Sequence, residues 1–424
     1  MTQSNNRLVI GVLALGTLIF ILFCMSKSSD RDRIKAQVSS RDFYESLRPQ
    51  CPIIQCPTPD LSLFNDSEKV AAVSTVLQQQ KQQQQIKKCK NETTKTLLER
   101  AYERKYIGCN FYATGGIGNQ IWRFASLYGL GRFTGRNPYF EARNPEQMNN
   151  LMEIALTFPM MHEVLQVKNP PDNFVKKFHF ADDCCKFDDP RKLLDWPDKY
   201  IKVYGDYMQS YKFFHPYRDE IRQIFDCGLT IKMSLNAFTE ELFQADTSFK
   251  LCAHVRRGDF LTDIMLESKE DFTVPAINYA YQYLINKGHE NISMLFIGND
   301  LPFVKNLPIQ NVGFQHIYTP ESRIRGEDMC LGINYCDAMI MTASGSTFGW
   351  WISYLMKPNS TIFYNAQITD NADFTKDIHD FDIFPKEWIM LSLKDGKAVK
   401  ETQWWHQRRG LPPDLPPKGM QPWI

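Results

Sequence analysis

Hydrophobic positions are concentrated first in one uncharged stretch near the amino terminus. Residues 8–26 contain no acidic or basic side chain, and about 20 residues in an α-helix span the core of a bilayer. We interpret this stretch as a transmembrane signal-anchor, with residues 1–7 as a cytoplasmic tail. A cleaved signal peptide is the alternative, but the stretch is long for one and has no clear small-residue cleavage site.

The segment at residues 27–100 is polar. It includes a glutamine run from Gln78 to Gln85 that is broken only by Lys81, and it has too few apolar residues to form a packed core. This composition predicts a flexible stem. Apolar residues between Val70 and Val76 leave open a short coiled coil, through which the chain could form a homodimer.

Short apolar runs begin after Tyr106 and alternate with stretches of helical periodicity. The runs predict buried strands, and the stretches between them predict helices. The predicted strands are Leu251–Val255, Met294–Ile297, Phe314–Tyr318, Ala338–Thr342 and Thr361–Tyr364. The predicted helices are Ile121–Leu130, Pro275–Asn286 with its proline in the first turn, Asp328–Tyr335 and Thr347–Met356.

This alternation predicts an α/β fold, in which a parallel sheet carries helices on both faces and binds ligands at the carboxyl ends of its strands. A chain of 424 residues has room for two such halves after the stem. We assign them to residues 101–245 and 246–400, with the break between Ser234 and Ser248. Residues 401–424 are assigned to a Pro-rich tail, and regular structure is predicted to stop after Gly410.

Charge and cysteine content narrow the class of protein. With 49 basic and 48 acidic side chains, the chain lacks the positive field of a nucleic-acid-binding protein. Ten of the eleven cysteines follow the predicted anchor, an even number that suits disulfides in an oxidising compartment, and the absence of a C-x-x-C pair disfavours zinc. Four N-x-S/T sequons predict N-glycosylation of a lumenal body, at Asn65, Asn91, Asn291 and Asn359.

A glycine-rich motif, Thr-Gly-Gly-Ile-Gly-Asn-Gln, occupies residues 114–120 at the start of a predicted helix. Glycines let backbone N–H groups approach a ligand closely, and a helix start offers free donors and a positive dipole end to an anion. The motif is neither the dinucleotide fingerprint nor a P-loop. A tight structural turn therefore explains it nearly as well.

An arginine pair lies in the sequence His-Val-Arg-Arg-Gly-Asp at residues 254–259. Two neighbouring guanidinium groups at the carboxyl end of a strand are costly to hold together unless an anion such as a diphosphate binds between them. A solvated charge pair between Arg257 and Asp259 is the structural alternative. A lone histidine such as His254 is more often a satisfied core residue than a catalyst.

A third motif, Ala-Ser-Gly-Ser-Thr-Phe-Gly-Trp-Trp at residues 343–351, follows a predicted strand and opens a helix. Ser346 or Thr347 would cap that helix, and the same hydroxyl and N–H groups could hold a phosphate oxygen. The two tryptophans, Trp350 and Trp351, chiefly indicate core packing.

In this order along the chain, GGIGNQ, HVRRGD and STFGWW resemble the signature set of the α-1,2-fucosyltransferase family. The segment Tyr204–Phe214, with the sequence YGDYMQSYKFF, resembles the segment that precedes the arginine motif in that family. The resemblance covers Tyr106–Tyr364. It implies the GT-B architecture, in which two Rossmann-like halves face each other, with the acceptor on the first half and the donor on the second.

The resemblance also implies an activity and a location. Proteins of this family transfer L-fucose from GDP-fucose to a sugar hydroxyl of a glycan, usually on galactose, with inversion and without a metal or other cofactor. They have one amino-terminal anchor and a lumenal catalytic body. We therefore expect a single-pass type II protein of the Golgi membrane.

Roles for individual residues follow from the same resemblance. The pyrophosphate of the donor is expected at Arg256 and Arg257. The rest of the donor pocket would be formed by Gly116, Gly118, Asn119, Gln120, Ser346 and Thr347, with Asp300 accepting from guanine N–H groups. Many family members have two acidic residues in the Asp300 loop, whereas this chain has Asn299.

Transfer requires stabilisation of the charge on the departing GDP and a proton acceptor for the acceptor hydroxyl. The fixed charge of Arg256 can supply the first in place of a metal. Asp259 and His254 are the two candidates for the proton acceptor, and the sequence leaves the choice between them open.

Three alternatives remain. The sequence Asp-Phe-Asp at residues 380–382 has the spacing of metal-dependent transferases, but we interpret it as a solvated loop. A catalytically inactive carbohydrate-binding relative would keep the fold without transfer, and the intact arginine pair speaks against it. A protein O-fucosyltransferase shares that pair but fits STFGWW less well.

Overall fold

The computed structural model describes residues 97–109, 116–141, 145–205, 207–261, 265–369 and 378–410, which belong to one compact unit. The predicted anchor, nearly all of the predicted stem and the sequons at Asn65 and Asn91 lie outside these ranges. Inside them, no helix has the length and apolar character needed to span a membrane.

The first sheet has five parallel strands in the order β3-β2-β1-β5-β4. They are β1 Tyr106–Cys109, β2 Asn137–Phe140, β3 Gln166–Val167, β4 Val175–His179 and β5 Tyr200–Tyr204. The helices of this part are α1 Leu97–Glu103, α2 Ile117–Thr134, α3 Pro145–Thr157, α4 Met161–Val164 and α5 Arg218–Ile224.

The second sheet has seven strands in the order β12-β11-β10-β9-β6-β7-β8, and only β12 is antiparallel to its neighbour. They are β6 Phe249–Val255, β7 Ile292–Gly298, β8 Ile317–Tyr318, β9 Ala338–Met341, β10 Thr361–Asn365, β11 Ile389–Lys394 and β12 Lys397–Lys400. The accompanying helices are α6 Leu229–Phe243, α7 Glu270–Asn286, α8 Leu301–Lys305, α9 Arg325–Tyr335, α10 Thr347–Leu355, α11 Asp380–Ile383 and α12 Trp405–Arg408. The chain thus has the α/β fold with parallel sheets that its pattern predicts.

Helix α2 shows how local sequence produces the fold. Its buried face includes Ile121, Trp122 and Phe124, which pack between the sheets. The helix ends at Gly135, whose left-handed conformation (φ 66°) lets its N–H donate to the Gly131 carbonyl oxygen. Glycine adopts this conformation without the steric cost of a Cβ, so it is the usual residue after a helix end.

Some predicted element bounds are wrong. Helix α7 begins at Glu270, so Pro275 lies inside it rather than in its first turn; the missing N–H costs one backbone hydrogen bond, which the buried helix face offsets. Strand β8 keeps only Ile317–Tyr318 of the predicted run. The predicted break between Ser234 and Ser248 falls partly inside α6, which continues unbroken to Phe243.

Disulfides tie the helices to the second sheet. Cys227 bonds to Cys330 in α9, and Cys252 in β6 bonds to Cys336 just after α9. A third disulfide joins the adjacent residues Cys184 and Cys185. Buried Cys109 is the described cysteine that is not in a disulfide. The disulfides expected from the cysteine content are therefore present in this part of the chain.

Candidate active site

The four sequence motifs follow strands at the centres of the two sheets. The glycine motif follows β1, and the Tyr204–Phe214 segment begins at the end of β5, which lies beside β1. The arginine pair follows β6, and the 343–351 motif follows β9, which is the neighbour of β6. From β6 the chain adds β7 and β8 on one side of the sheet and then returns to add β9, β10 and β11 on the other side, so the strand order switches between β6 and β9. Open α/β sheets bind ligands in the crevice outside such a switch point.

Gly118 and Thr347 bring the first and third motifs into contact. A Cβ on Gly118 would stand 2.6 Å from Thr347 Oγ1 and 2.8 Å from the Phe348 amide nitrogen. Gly118 lies in the first turn of α2, and Thr347 begins α10, so the amino ends of the two helices meet. Each helix start carries unpaired N–H groups and about half a positive charge. The contact therefore creates a local surface that favours an anion.

Arg257 is fixed by three interactions. Its Nε donates to Asp300 Oδ2 at 3.0 Å, its Nη1 donates to the Ser268 carbonyl oxygen at 2.8 Å, and its guanidinium lies 4.4 Å from the centroid of the Phe303 ring. The alternative interpretation, a charge pair between Arg257 and Asp259, is not what the structure has, since Arg257 pairs with Asp300. The 3₁₀ turn Gly258–Phe260 directs the Asp259 carboxylate back toward Arg256 instead.

Asp300 uses both carboxylate oxygens within the protein. Oδ2 accepts from Arg257, and Oδ1 accepts from the Phe303 amide at 3.0 Å, which caps α8. The neighbouring Asn299 Oδ1 accepts from the Arg257 amide at 2.9 Å. The loop that contains Asn299 and Asp300 therefore positions Arg257. Recognition of guanine by Asp300 stays a prediction, and it would use the lone pairs of the carboxylate oxygens that these contacts leave free.

Arg256 is less restrained than Arg257. Its Nη2 donates at 2.8 Å to Oδ2 of Asp259, whose side chain is 64% exposed. Its buried Nε has no hydrogen-bond partner among the described residues. Buried N–H groups are normally satisfied, and arginine binds phosphate oxygens with charge-assisted hydrogen bonds. Arg256 is thus the guanidinium best prepared to take an anionic oxygen.

A pair of buried hydroxyl groups fixes the arginine segment to the sheet, and no pattern in the sequence predicted it. Thr342 Oγ1 donates to the His254 carbonyl oxygen at 2.7 Å and lies 2.6 Å from Ser268 Oγ. Each hydroxyl has one proton, so Ser268 donates to Thr342 and accepts from the Arg256 amide at 2.8 Å. This relay fixes the end of β6 against the end of β9.

His254 is a core residue. Its side chain is 2% exposed, and a Cβ on Gly349 would stand 2.6 Å from its Nδ1. Burial, with a smaller effect from the charge of Arg256, lowers the pKa of the His254 ring from 6.5 to about 3. A buried ring with this pKa is a weak proton acceptor at neutral pH. The geometry favours the packing interpretation over the catalytic one.

The glycine motif also contacts the Tyr204–Phe214 segment. Asn119 Oδ1 accepts from Gln209 Nε2 at 3.1 Å, and Ser126 Oγ of α2 donates to the Met208 carbonyl oxygen at 2.8 Å. The predicted donor residue Gln120 is 1% exposed. Gln209 belongs to a segment that the sequence singled out, but its contact across the site could be seen only in the structure.

Ser346 serves as the helix cap that its sequence predicts. Its Oγ accepts from the Gly349 amide at 3.4 Å, while Ser344 Oγ is buried without a hydrogen-bond partner in the described part of the chain. The predicted core role of the tryptophans is confirmed. Trp350 and Trp351 are 1% and 0% exposed, and their rings lie 4.1 and 5.3 Å from the ring of Trp122 in α2.

The prediction that residues 380–382 form a solvated loop is wrong. Asp380 and Asp382 are 1% and 2% exposed. Asp380 accepts from the Trp405 and His406 amides, and burial raises its pKa to about 6. Asp382 accepts from Lys212 Nζ at 2.6 Å and from the Phe187 amide at 2.9 Å. The two carboxylates thus have structural roles: each is buried and accepts hydrogen bonds from N–H groups of a different segment of the chain.

Two further predictions concern glycosylation and metal binding. The sequon residues Asn291 and Asn359 are both exposed, so their positions suit glycosylation. No group of three His, Cys, Asp or Glu side chains in the described ranges has a metal-binding arrangement.

Comparison with known proteins follows the motifs. The model of glycosyl transferase family 11 matches residues 72–392. A galactoside 2-alpha-L-fucosyltransferase of Caenorhabditis elegans is 30% identical over 317 residues, which is 68% of this chain and 78% of the relative. The galactoside alpha-(1,2)-fucosyltransferase 2 of Pongo pygmaeus is 25% identical over 68% of this chain and 80% of its own length.

Among solved structures, the fucosyltransferase NodZ from Bradyrhizobium aligns with a TM-score of 0.37 and 13% identity, over 59% of this chain and 93% of that one. The family assignment comes from sequence, where the family model spans most of the chain and the nematode relative covers two thirds of it. On that evidence the chain belongs to glycosyl transferase family 11, the family of fucosyltransferases that its motifs resemble.

Proposed function

We propose that this chain transfers L-fucose from GDP-fucose to the 2-hydroxyl of a galactose residue on glycans. The observation that carries the proposal is the meeting of α2 and α10 at Gly118 and Thr347. Two meeting helix amino ends, one from each sheet, and an arginine pair at the carboxyl edge of the second sheet suit a nucleoside diphosphate. The names of the relatives from Caenorhabditis elegans and Pongo pygmaeus indicate the sugar that is transferred and the class of acceptor.

The two parallel sheets support a GT-B arrangement, with the acceptor bound at the first sheet and GDP-fucose at the second. In this proposal Arg256 holds the diphosphate, and Arg257 is oriented toward it by Asp300. The amino ends of the two helices would complete the donor site. Their residues are Gly116, Gly118, Asn119 and Gln120 in the glycine motif, and Ser346 and Thr347 before α10.

The chemistry is a single displacement with inversion at the anomeric carbon. Arg256 and the helix ends stabilise the charge that develops on GDP as the bond to fucose breaks, which favours the transition state over the ground state. This fixed positive charge supports a reaction that needs no metal. Asp259 is the proposed proton acceptor because its carboxylate is exposed beside Arg256, whereas His254 is buried.

We also propose a type II protein of the Golgi membrane, anchored by residues 8–26 and glycosylated in the lumen. The uncharged stretch and the four sequons that follow it support this location. Dimerisation through the stem stays a prediction from the apolar residues between Val70 and Val76.

A transfer assay tests the proposal. The full-length chain, purified with and without Arg256→Ala, is incubated with GDP-fucose and galactose-terminated glycans in the presence of EDTA. We expect GDP release coupled to fucosylated glycan, lost in the variant and insensitive to EDTA. Donor binding without transfer would favour an inactive carbohydrate-binding relative. Transfer to serine or threonine of a protein acceptor would favour a protein O-fucosyltransferase.

A further inference from the structure

A small cavity lies beside the loop between β9 and α10, where the first and third motifs meet. Its floor is apolar and includes Ile368, Ile378, Ile383 and Phe384, and its polar side includes Ser344 and Gln209. The cavity has a volume of about 30 Å³, and one water needs roughly 10–15 Å³ measured in this way. The space therefore suits one methyl or hydroxymethyl group and excludes a whole sugar ring.

The polar side of this cavity contains a buried hydroxyl group that can hydrogen-bond to a ligand. Ser344 is 3% exposed, and its Oγ has no hydrogen-bond partner among the described residues. An unpaired buried hydroxyl is energetically unfavourable, so such a group in a native protein usually forms a hydrogen bond with water or with a bound substrate. The amide of Gln209 is already oriented by Asn119 at 3.1 Å, which places the cavity next to the glycine motif.

We propose that this cavity binds the C6 methyl group of the fucosyl residue, while Ser344 Oγ pairs with a hydroxyl of the same sugar. The inference rests on the proposed function and names how the donor sugar is recognised. L-Fucose is L-galactose without the hydroxyl on C6. Once Ser344 Oγ pairs with the sugar, the isoleucine and phenylalanine side chains of the cavity accept a methyl group but offer an added hydroxyl no hydrogen-bond partner.

The chemistry of the floor sets the size of the expected selectivity. An apolar pocket rejects an isostere that carries one extra hydroxyl by about 100-fold. A donor that lacks the carbon altogether loses one buried methyl contact, which reduces kcat/KM about tenfold. The kcat/KM for GDP-L-fucose should therefore be higher than that for GDP-L-galactose or GDP-D-arabinose. Of the two poorer donors, GDP-L-galactose should have the lower kcat/KM.

The first test measures kcat/KM of the full-length wild-type enzyme with these three donors and one galactose-terminated acceptor. A preference of about 100-fold for GDP-L-fucose over GDP-L-galactose supports the inference. Equal use of the two donors overturns it and leaves the proposed function intact. Absence of transfer from GDP-L-fucose would instead overturn the proposed function, and the inference with it.

The second test places a hydrogen-bonding group in the floor of the cavity. Ile383→Thr replaces an ethyl group by a hydroxyl, and Ile231→Thr in α6 is the matched control because it makes the same change and both isoleucines are 8% exposed. We expect the preference for GDP-L-fucose over GDP-L-galactose to fall about tenfold in Ile383→Thr and to be unchanged in Ile231→Thr. An equal fall in both variants would assign the effect to general loosening of the core. If Ile383→Thr does not fold, the wild-type donor series decides.

Discussion

Gly118 and Thr347 approach each other more closely than any side chain on residue 118 would allow, since a Cβ there would stand 2.6 Å from the threonine hydroxyl oxygen. The contact joins the amino end of α2 to the amino end of α10. These helices follow β1 of the first sheet and β9 of the second. Their amino ends therefore form one surface of positive potential.

Gly118→Ala is expected to destabilise the protein by about 2 kcal/mol, because the added methyl group meets backbone atoms that cannot move freely. Gly116→Ala is the matched control, since a Cβ at residue 116 has as its nearest neighbour Arg325 Nη1 at 3.8 Å. Denaturant unfolding of both variants measures the difference. Equal stability of the two variants would show that the helices can separate without cost.

The two arginines are expected to respond differently to substitution. Arg257→Ala removes three interactions and leaves Asp300 and the Ser268 carbonyl without their donor, so it should lower the free energy of unfolding by about 2 kcal/mol. Arg256→Ala breaks an ion pair with the exposed Asp259 carboxylate and a contact of the guanidinium with the Phe260 ring at 5.4 Å, which together are worth about 1 kcal/mol. Its transfer rate should nevertheless fall at least about 100-fold. Unfolding and kcat are measured together, and a reversed pattern would exchange the roles assigned to these residues.

Asp259→Asn tests the proton acceptor. The variant keeps an oxygen for the hydrogen bond to Arg256 but cannot accept the proton, so kcat should fall about 100-fold or more while the KM for GDP-fucose changes little. His254→Gln is the comparison, and it should retain most of kcat because the histidine is buried. A large loss in His254→Gln with a normal Asp259→Asn would move the proton acceptor to the histidine.

Periodicity and motif spacing predicted the α/β fold and the strands β6, β7, β9 and β10 of the second sheet, because buried parallel strands give continuous apolar runs. Strands β11 and β12 were not predicted. The same patterns did not predict the partners of Arg257, since a guanidinium reaches Asp300 only after the chain has passed through α7 and β7. The Asp-Phe-Asp segment was misread for a related reason. Its buried carboxylates accept from the Phe187 and Trp405 amides, which are distant in sequence. The local sequence pattern cannot predict such partners.

The buried pair of Lys212 and Asp382 gives a prediction about stability. The two side chains are 17% and 3% exposed, and the Asp382 carboxylate also accepts from the Phe187 amide. Asp382→Asn removes this buried charge from its donors and should cost about 3–5 kcal/mol. The pair of Lys186 and Asp183 is about half exposed, and Asp183→Asn should cost under about 1 kcal/mol. Denaturant unfolding compares the two, and similar costs would show that water reaches Asp382.

His254 gives a prediction about pH. Its pKa is about 3 in the folded protein against 6.5 for the free ring, so only the unfolded chain binds a proton there between these values. Stability from this residue is complete above pH 6.5 and declines by up to about 1.4 kcal/mol per pH unit below it. Relative to His254→Gln, the wild type should lose about 2 kcal/mol between pH 7.5 and pH 5.

The pH experiment compares unfolding of the two proteins at both pH values. Asp380, whose raised pKa of about 6 gives the opposite dependence, is present in both proteins, so its contribution cancels in the difference. A constant difference between wild type and variant would mean that the His254 ring is accessible to protons in the folded state.

The most direct measurement is the structure of the product. The full-length enzyme is incubated with GDP-fucose and a β-galactoside disaccharide, and the product is examined by NMR for the position and anomeric configuration of the new bond. We expect L-fucose in α linkage to O2 of galactose, formed by the wild type and absent with Arg256→Ala. Fucose on a different hydroxyl or on a protein side chain, or a bound donor that is never transferred, would contradict the proposed function.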